Sequence, residues 1–264
     1  MRVPVSSELH VPEIPRGLEW INVAFINVDH LVGRACPLVE FWDFARVNSL
    51  RTLPYMKAWH ERYHAHGLRV IGVHSPGYSF GRDPGAVHRA VERLGIEYAV
   101  VLDPDFVVWR EFGNKGWPAR YLFGPDGKLR YLHYGEGDYE EAELAIKDTL
   151  RELNAEAELP EGTVPPVRPE DAPGVLLQPQ TADIALPRER ERVELSGAWR
   201  EGPDYLEAAE AGAGMRVRYD AGGAWAVLSG AGVDEPGLHE FDGSLSAQAA
   251  GLRVHGFQFT PKAP

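Results

Sequence analysis

The chain has 264 residues, 44% hydrophobic and 25% charged, with a formal net charge of −12. That composition is ordinary for a globular protein of one large or two modest domains, and so acidic a balance argues against nucleic acid, whose phosphate backbone needs a basic footprint. Its single cysteine, Cys36, excludes an internal disulfide, a paired-thiol redox centre and a multi-cysteine zinc site.

Residues 1–16 are polar and broken by prolines, unlike the apolar core of a signal peptide. No apolar run approaches the ~18 residues of a membrane span. The expectation is a soluble cytoplasmic protein with no membrane span. Residues 37–42 read as a buried strand. Residues 49–66 follow as a helix, with Leu50, Leu53, Met56 and Trp59 at helical spacing and Gly67 as its stop. A second strand spans 68–73, and Asp83-Pro84 opens a helix that runs to Leu94. A third strand covers 98–102, and a short helix covers 105–112. Strands at 120–123 and 129–134 flank Gly124-Pro125-Asp126-Gly127, a strong hairpin signal. Asp138 and Glu141 have capping-box spacing before a helix ending near Asn154. Alternating strands and helices that close in a hairpin and a helix imply an α/β layered sheet over residues 1–155.

Residues 156–173 are rich in proline and acidic side chains and read as an extended linker. Beyond it the helical pattern ends. Strand candidates at 193–195, 215–219, 224–228, 238–241 and 252–259 alternate with glycine-rich turns, which suggests a small all-β sandwich over 174–264.

The segment Val39-Glu40-Phe41-Trp42-Asp43-Phe44-Ala45-Arg46-Val47-Asn48-Ser49-Leu50-Arg51-Thr52-Leu53-Pro54 resembles the active-site segment of the thioredoxin-like superfamily, in its TlpA/DipZ-like branch. That branch has an acidic residue, Phe-Trp, Cys-x-Asn-Cys and then Arg-Thr-Leu-Pro. Trp20-Ile21-Asn22, Leu31-Val32-Gly33, Val70-Ile71-Gly72-Val73-His74, Trp117-Pro118-Ala119-Arg120-Tyr121-Leu122 and Gly135-Glu136-Gly137-Asp138-Tyr139 extend the resemblance in order. It implies a thioredoxin fold with a cis peptide before Pro118. More weakly, Leu195-Ser196-Gly197-Ala198-Trp199 resembles the jelly-roll, carbohydrate-binding-module-like domain of DipZ-type proteins.

In this branch two thiols at a helix N-terminus do the chemistry, the helix end favouring the thiolate of the first. Arg46 and Ser49 stand at the two positions. A guanidinium cannot attack sulfur, and a serine hydroxyl is a poor nucleophile without a base. The resemblance therefore implies no catalytic residue, no cofactor and no metal. It leaves Trp42, Arg46, Asn48, Ser49, Trp117 and Pro118 as candidate binding residues. Glu40 matches the branch's buried acid. A cation at a helix N-terminus opposes the dipole, so Arg46 is expected against a carboxylate, Glu40 or Asp43 first, or against a bound anion.

The reading that follows is a redox-inactive binding or scaffolding module for a protein, a peptide or a small anionic ligand. One alternative is a thioredoxin-family oxidoreductase or antioxidant protein with an atypical site, acting through Cys36 or a partner's thiols. Free cysteine, however, most often behaves as a small buried hydrophobe. Another is a glycan-binding protein that uses Trp199, Tyr205, Tyr219 and Trp225, residues that otherwise serve as sandwich core. The branch also leaves an extracytoplasmic location open. Finally, His60-Glu61-Arg62-Tyr63-His64 spells H-E-x-x-H, with both histidines on one helical face. A zinc protease needs a third ligand and a cleft over that helix.

Overall fold

A computed structural model describes residues 9–262, so the first part of the polar N-terminal stretch read above lies outside the described residues. The chain enters a mixed sheet through β1 (Trp20–Ile21) and reaches its centre in β2 (Cys36–Trp42), where all seven residues are buried. A run buried along its whole length, apolar but for Glu40, suits a strand covered on both faces. Then follow α1 (Val47–Tyr63), β3 (Leu68–His74), α2 (Pro84–Arg93), β4 (Ala99–Leu102), α3 (Val107–Glu111), β5 (Ala119–Phe123), β6 (Leu129–Tyr134) and α4 (Tyr139–Leu153). The strand order is β1-β4-β3-β2-β5-β6. β3 runs parallel to β2 and β4, whereas β5 is antiparallel to β2 and β6 to β5. Met56 and Trp59 of α1, Ala90 of α2 and Ile146 and Leu150 of α4 pack on one face. Val39, Phe41, Ile71, Val73, Val108 and Phe112 build the core on the other.

The caps follow local chemistry, with one correction. Gly67, at φ 102°, ends the 3-10 turn His64–His66 that closes α1. Asp83 accepts hydrogen bonds from the Gly85 and Ala86 N–H groups at the start of α2. The capping box expected at Asp138 does not form. Asp138 lies in the left-handed region at φ 50° and makes no side-chain cap bond; its carboxylate instead lies 3.3 Å from His133 Nδ1.

The second half is antiparallel throughout. Its strands are β7 (Ile184–Ala185), β8 (Glu194–Ser196), β9 (Trp199–Glu201), β10 (Leu206–Ala208), β11 (Gly214–Arg216), β12 (Gly223–Gly230), β13 (Gly237–Glu240), β14 (Ser244–Ser246) and β15 (Leu252–Thr260). One sheet runs β13-β12-β15-β10-β9 with β7 added to β15; the other runs β14-β11-β8. Leu206, Val254 and Phe257 of the first sheet share a core with Met215 of the second. Gly256 is required where β7 crosses β15, because a Cβ there would lie 2.2 Å from the Ile184 carbonyl oxygen.

The proline-rich segment lies along α1 and α4. The Val164 N–H donates to Glu143, the Val167 N–H to the Tyr55 hydroxyl, and Arg168 to the Arg51 carbonyl. The two halves touch directly: Val227 of β12 is buried in the core of the first half, with Leu238 of β13 packed against it.

Candidate functional site

The candidate site is the turn from β2 into α1. Asp43, 1% exposed, organises it. Its Oδ1 accepts from the Ala45 N–H at 2.9 Å and its Oδ2 from the Gly77 N–H at 2.7 Å. Burial pushes the Asp43 carboxyl up, but His74, 3.6 Å away, the charge of Arg46 and the Ala45 N–H outweigh it and hold the group below its usual range. Ser49 Oγ accepts from the Asp43 N–H at 3.3 Å, so the hydroxyl at the second thiol position is folded back into the turn.

Arg46 is the N-cap of α1 and makes no side-chain cap bond. Its guanidinium lies between two rings, 4.8 Å from the centroid of Tyr78 and 4.9 Å from that of Trp117. The expected carboxylate neighbour is present as a charge, not as a direct ion pair: Arg46 acts on Asp43 and Asp183 through the field between them, but among the described residues it forms no salt bridge, and its Nε is buried without a hydrogen-bond partner. The aromatic faces supply the compensation, through cation–π attraction. Glu40 is committed elsewhere.

The α1 amide end is closed by a residue that sequence reasoning missed. Gln258, on β15 and 2% exposed, accepts the Val47 N–H at 2.8 Å and donates to the Ala45 carbonyl at 2.7 Å and to the Tyr78 hydroxyl at 3.2 Å. An orphan N–H of the first helical turn is thus satisfied from the other half of the chain. His255, three residues earlier on the same strand, packs against Tyr78 and Phe80 at 5.5 and 4.8 Å. It also hydrogen-bonds Ser229 Oγ at 2.8 Å. It sits at a register break in the β12–β15 ladder, where Val227 pairs with Gly256 and Leu228 with Val254. A bulge of this kind re-aims a side chain. The one advance signal was polar residues inside the apolar run Val254-His255-Gly256-Phe257-Gln258-Phe259.

Beneath the turn lies Glu40, 1% exposed, paired in register with Arg120 of β5. Burial pushes the Glu40 carboxyl up to about 8, and the Arg120 charge offsets part of that rise. Arg120 is itself held by the rings of Tyr139 and Trp59, at 5.0 and 5.9 Å, and donates to the Gly137 carbonyl.

Of the six candidate binding residues, Arg46, Asn48 and Trp117 keep some surface, whereas Trp42, Ser49 and Pro118 are buried. The Trp117–Pro118 peptide is cis. Cys36 is fully buried; its thiol lies 3.6 Å from the Thr149 carbonyl, and burial pushes its pKa up to about 12. The four candidate sugar-stacking rings are engaged within the chain. Tyr219 packs on Phe241 and Phe259, Tyr205 lies under Arg253, Trp199 donates to the Ser196 carbonyl, and Trp225 lies over Gly223. Among the described residues no helix is long and apolar enough to cross a membrane.

No family profile matches the chain. It is similar to protein DipZ of Mycobacterium tuberculosis, at 32% identity over 173 residues, covering 64% of this chain and 25% of DipZ. It is also similar to the thiol-disulfide oxidoreductase ResA of Bacillus subtilis, at 26% identity over 112 residues, 42% of this chain and 59% of ResA. The solution structure of an oxidised thioredoxin-like protein superposes with a TM-score of 0.50 at 24% identity, covering 54% of this chain and 95% of that one. The first half therefore has a thioredoxin-like fold with relatives of the DipZ and ResA kind, followed by an antiparallel β-rich half. The chain spans a quarter of the DipZ it matches.

Proposed function

We propose that this thioredoxin-like protein is a redox-inactive binding or scaffolding module, in which the surface that carries thiols in a dithiol enzyme seats the chain's own β-rich half. The observation that carries this reading is Gln258. Its amide occupies the Val47 N–H, one of the helix-end donors that would otherwise stabilise a thiolate. The two thiol positions hold Arg46, clamped by aromatic rings, and Ser49, whose hydroxyl is spent on the turn. The remaining thiol, Cys36, is buried and held protonated. What stays open is a cleft of about 470 Å³ in which Arg46 meets Asp183, Arg188 and Asp204. A protein, peptide or small anionic ligand would enter there.

An insulin-reduction assay with dithiothreitol tests the redox part. The expected rate is the uncatalysed one, unchanged by Cys36→Ser. A rate well above background that is lost in Cys36→Ser would overturn the reading. Restoring the thiols with Arg46→Cys/Ser49→Cys is expected to give weak turnover that rises several-fold when Gln258→Ala frees the Val47 amide. Equal rates with and without Gln258 would mean that the seat has no hold on the site.

A further inference from the structure

The opposite end of α1 carries a second constellation, unrelated to the thiol positions. His60 and His64 stand one helical turn apart, and their ring centroids are 5.1 Å from each other at an interplanar angle of 60°. Together they line a cleft of about 570 Å³ with Lys57, Glu61, Gly95, Glu97 and Tyr98. Residues four apart on a helix face the same way, so both imidazoles reach one volume. His60 Nδ1 is buried and has no hydrogen-bond partner among the described residues, which leaves a polar atom without compensation. The cationic group in the cleft is already occupied: Lys57 Nζ donates to the Leu94 carbonyl at 2.9 Å. Glu61 and Glu97 bring negative charge to the cleft.

We propose that His60 and His64 form a bidentate site for a divalent transition-metal ion, with Glu61 and Glu97 supplying compensating charge across the cleft. Imidazole pairs suit zinc, nickel and copper. Among the described residues no group of three His, Cys, Asp or Glu side chains converges to hold a metal, so water completes the coordination shell. The site therefore differs from a closed structural zinc site and from a three-ligand catalytic one. It binds an exchangeable ion and does not hydrolyse peptides. The H-E-x-x-H spelling is accurate about the two ligands and misleading about the chemistry.

Zinc chloride titrated calorimetrically into the full chain at about pH 7, in a buffer that does not chelate, tests the proposal. One ion per chain is expected, with micromolar affinity. His60→Ala and His64→Ala should each weaken binding roughly tenfold or more, because each removes one of two pre-positioned ligands. His66→Ala does not line the cleft and should leave binding unchanged. Lys57→Ala should leave binding unchanged or strengthen it. His64 is exposed, so its replacement spares the core and carries the test even if His60→Ala unfolds. An affinity unaffected by His64→Ala overturns the assignment, as does no measurable heat at millimolar zinc. The chain has ten histidines, and an equal loss in His66→Ala would place the ion elsewhere and also overturn it.

Discussion

Glu40 lies beneath the turn that holds Arg46 and Ser49, and its carboxyl answers only to burial and Arg120. Its pKa is raised from 4.5 to about 8 in the folded chain. Between those two values the folded state keeps a proton that the unfolded chain has released. The stability Glu40 contributes is therefore fully present below its unfolded pKa and is lost as pH rises through about 8. Glu40→Gln removes this dependence. Urea unfolding at about pH 5 and about pH 9 should show the variant gaining on the parent at the higher pH, by on the order of a few kcal/mol. Parallel curves would mean that Arg120 fully compensates the ionised acid. Arg46 gives the opposite kind of prediction. Its direct contacts are the faces of Tyr78 and Trp117, with no carboxylate in salt-bridge range, so Arg46→Ala should cost about 1–2 kcal/mol in the same experiment. A loss of ~3–5 kcal/mol would indicate a broken buried ion pair.

At the scale of elements, α1 begins with a residue that cannot cap it, and the cap comes from β15. Replacing Gln258 by Ala leaves the Val47 N–H and the Ala45 carbonyl buried and unpaired. Each such group costs about 1–3 kcal/mol, so Gln258→Ala should be among the most destabilising single changes at the junction, read by denaturant unfolding. The elements of the first half were legible because they are long. β2 is apolar but for Glu40, and α1 repeats its apolar residues over four turns. β7, β9, β10 and β14 escaped because two or three residues are too few to show a period. The capping-box spacing at Asp138 was genuine, but the left-handed backbone there turns the side chain towards His133. The site was half legible for a related reason. The positions of Arg46, Ser49 and Glu40 could be read from one segment. Their partners could not, because Tyr78, Trp117, Arg120 and Gln258 reach the turn from remote parts of the chain, and sequence neighbours such as Asp43 were the only candidates in view.

The whole molecule is held together across the face that carries Arg46 and the start of α1. Besides Gln258, Asp204 accepts from both the N–H and the hydroxyl of Ser79, at 2.6 and 2.9 Å, and Arg89 pairs with Glu235. Val227 is buried in the first half's core, and Gly237 closes on the Phe44 ring. A β-rich unit of this size buries proportionately little surface by itself, so it gains from the apolar neighbour. The Arg89–Glu235 pair is exposed and salt-screened, and contributes ~0–1 kcal/mol; the apolar contacts and buried hydrogen bonds dominate. Limited proteolysis followed by gel filtration separates the possibilities. The backbone at Val164 and Val167 is tied down by Glu143 and Tyr55, whereas Leu176 is 87% exposed and Leu177 49%. Chymotrypsin should therefore nick first at residues 176–177, leaving the segment before them uncut. The two fragments should still co-elute at high salt and part only in denaturant. Rapid cleavage around Pro165, or fragments that separate in salt alone, would show that the halves are tethered and not docked.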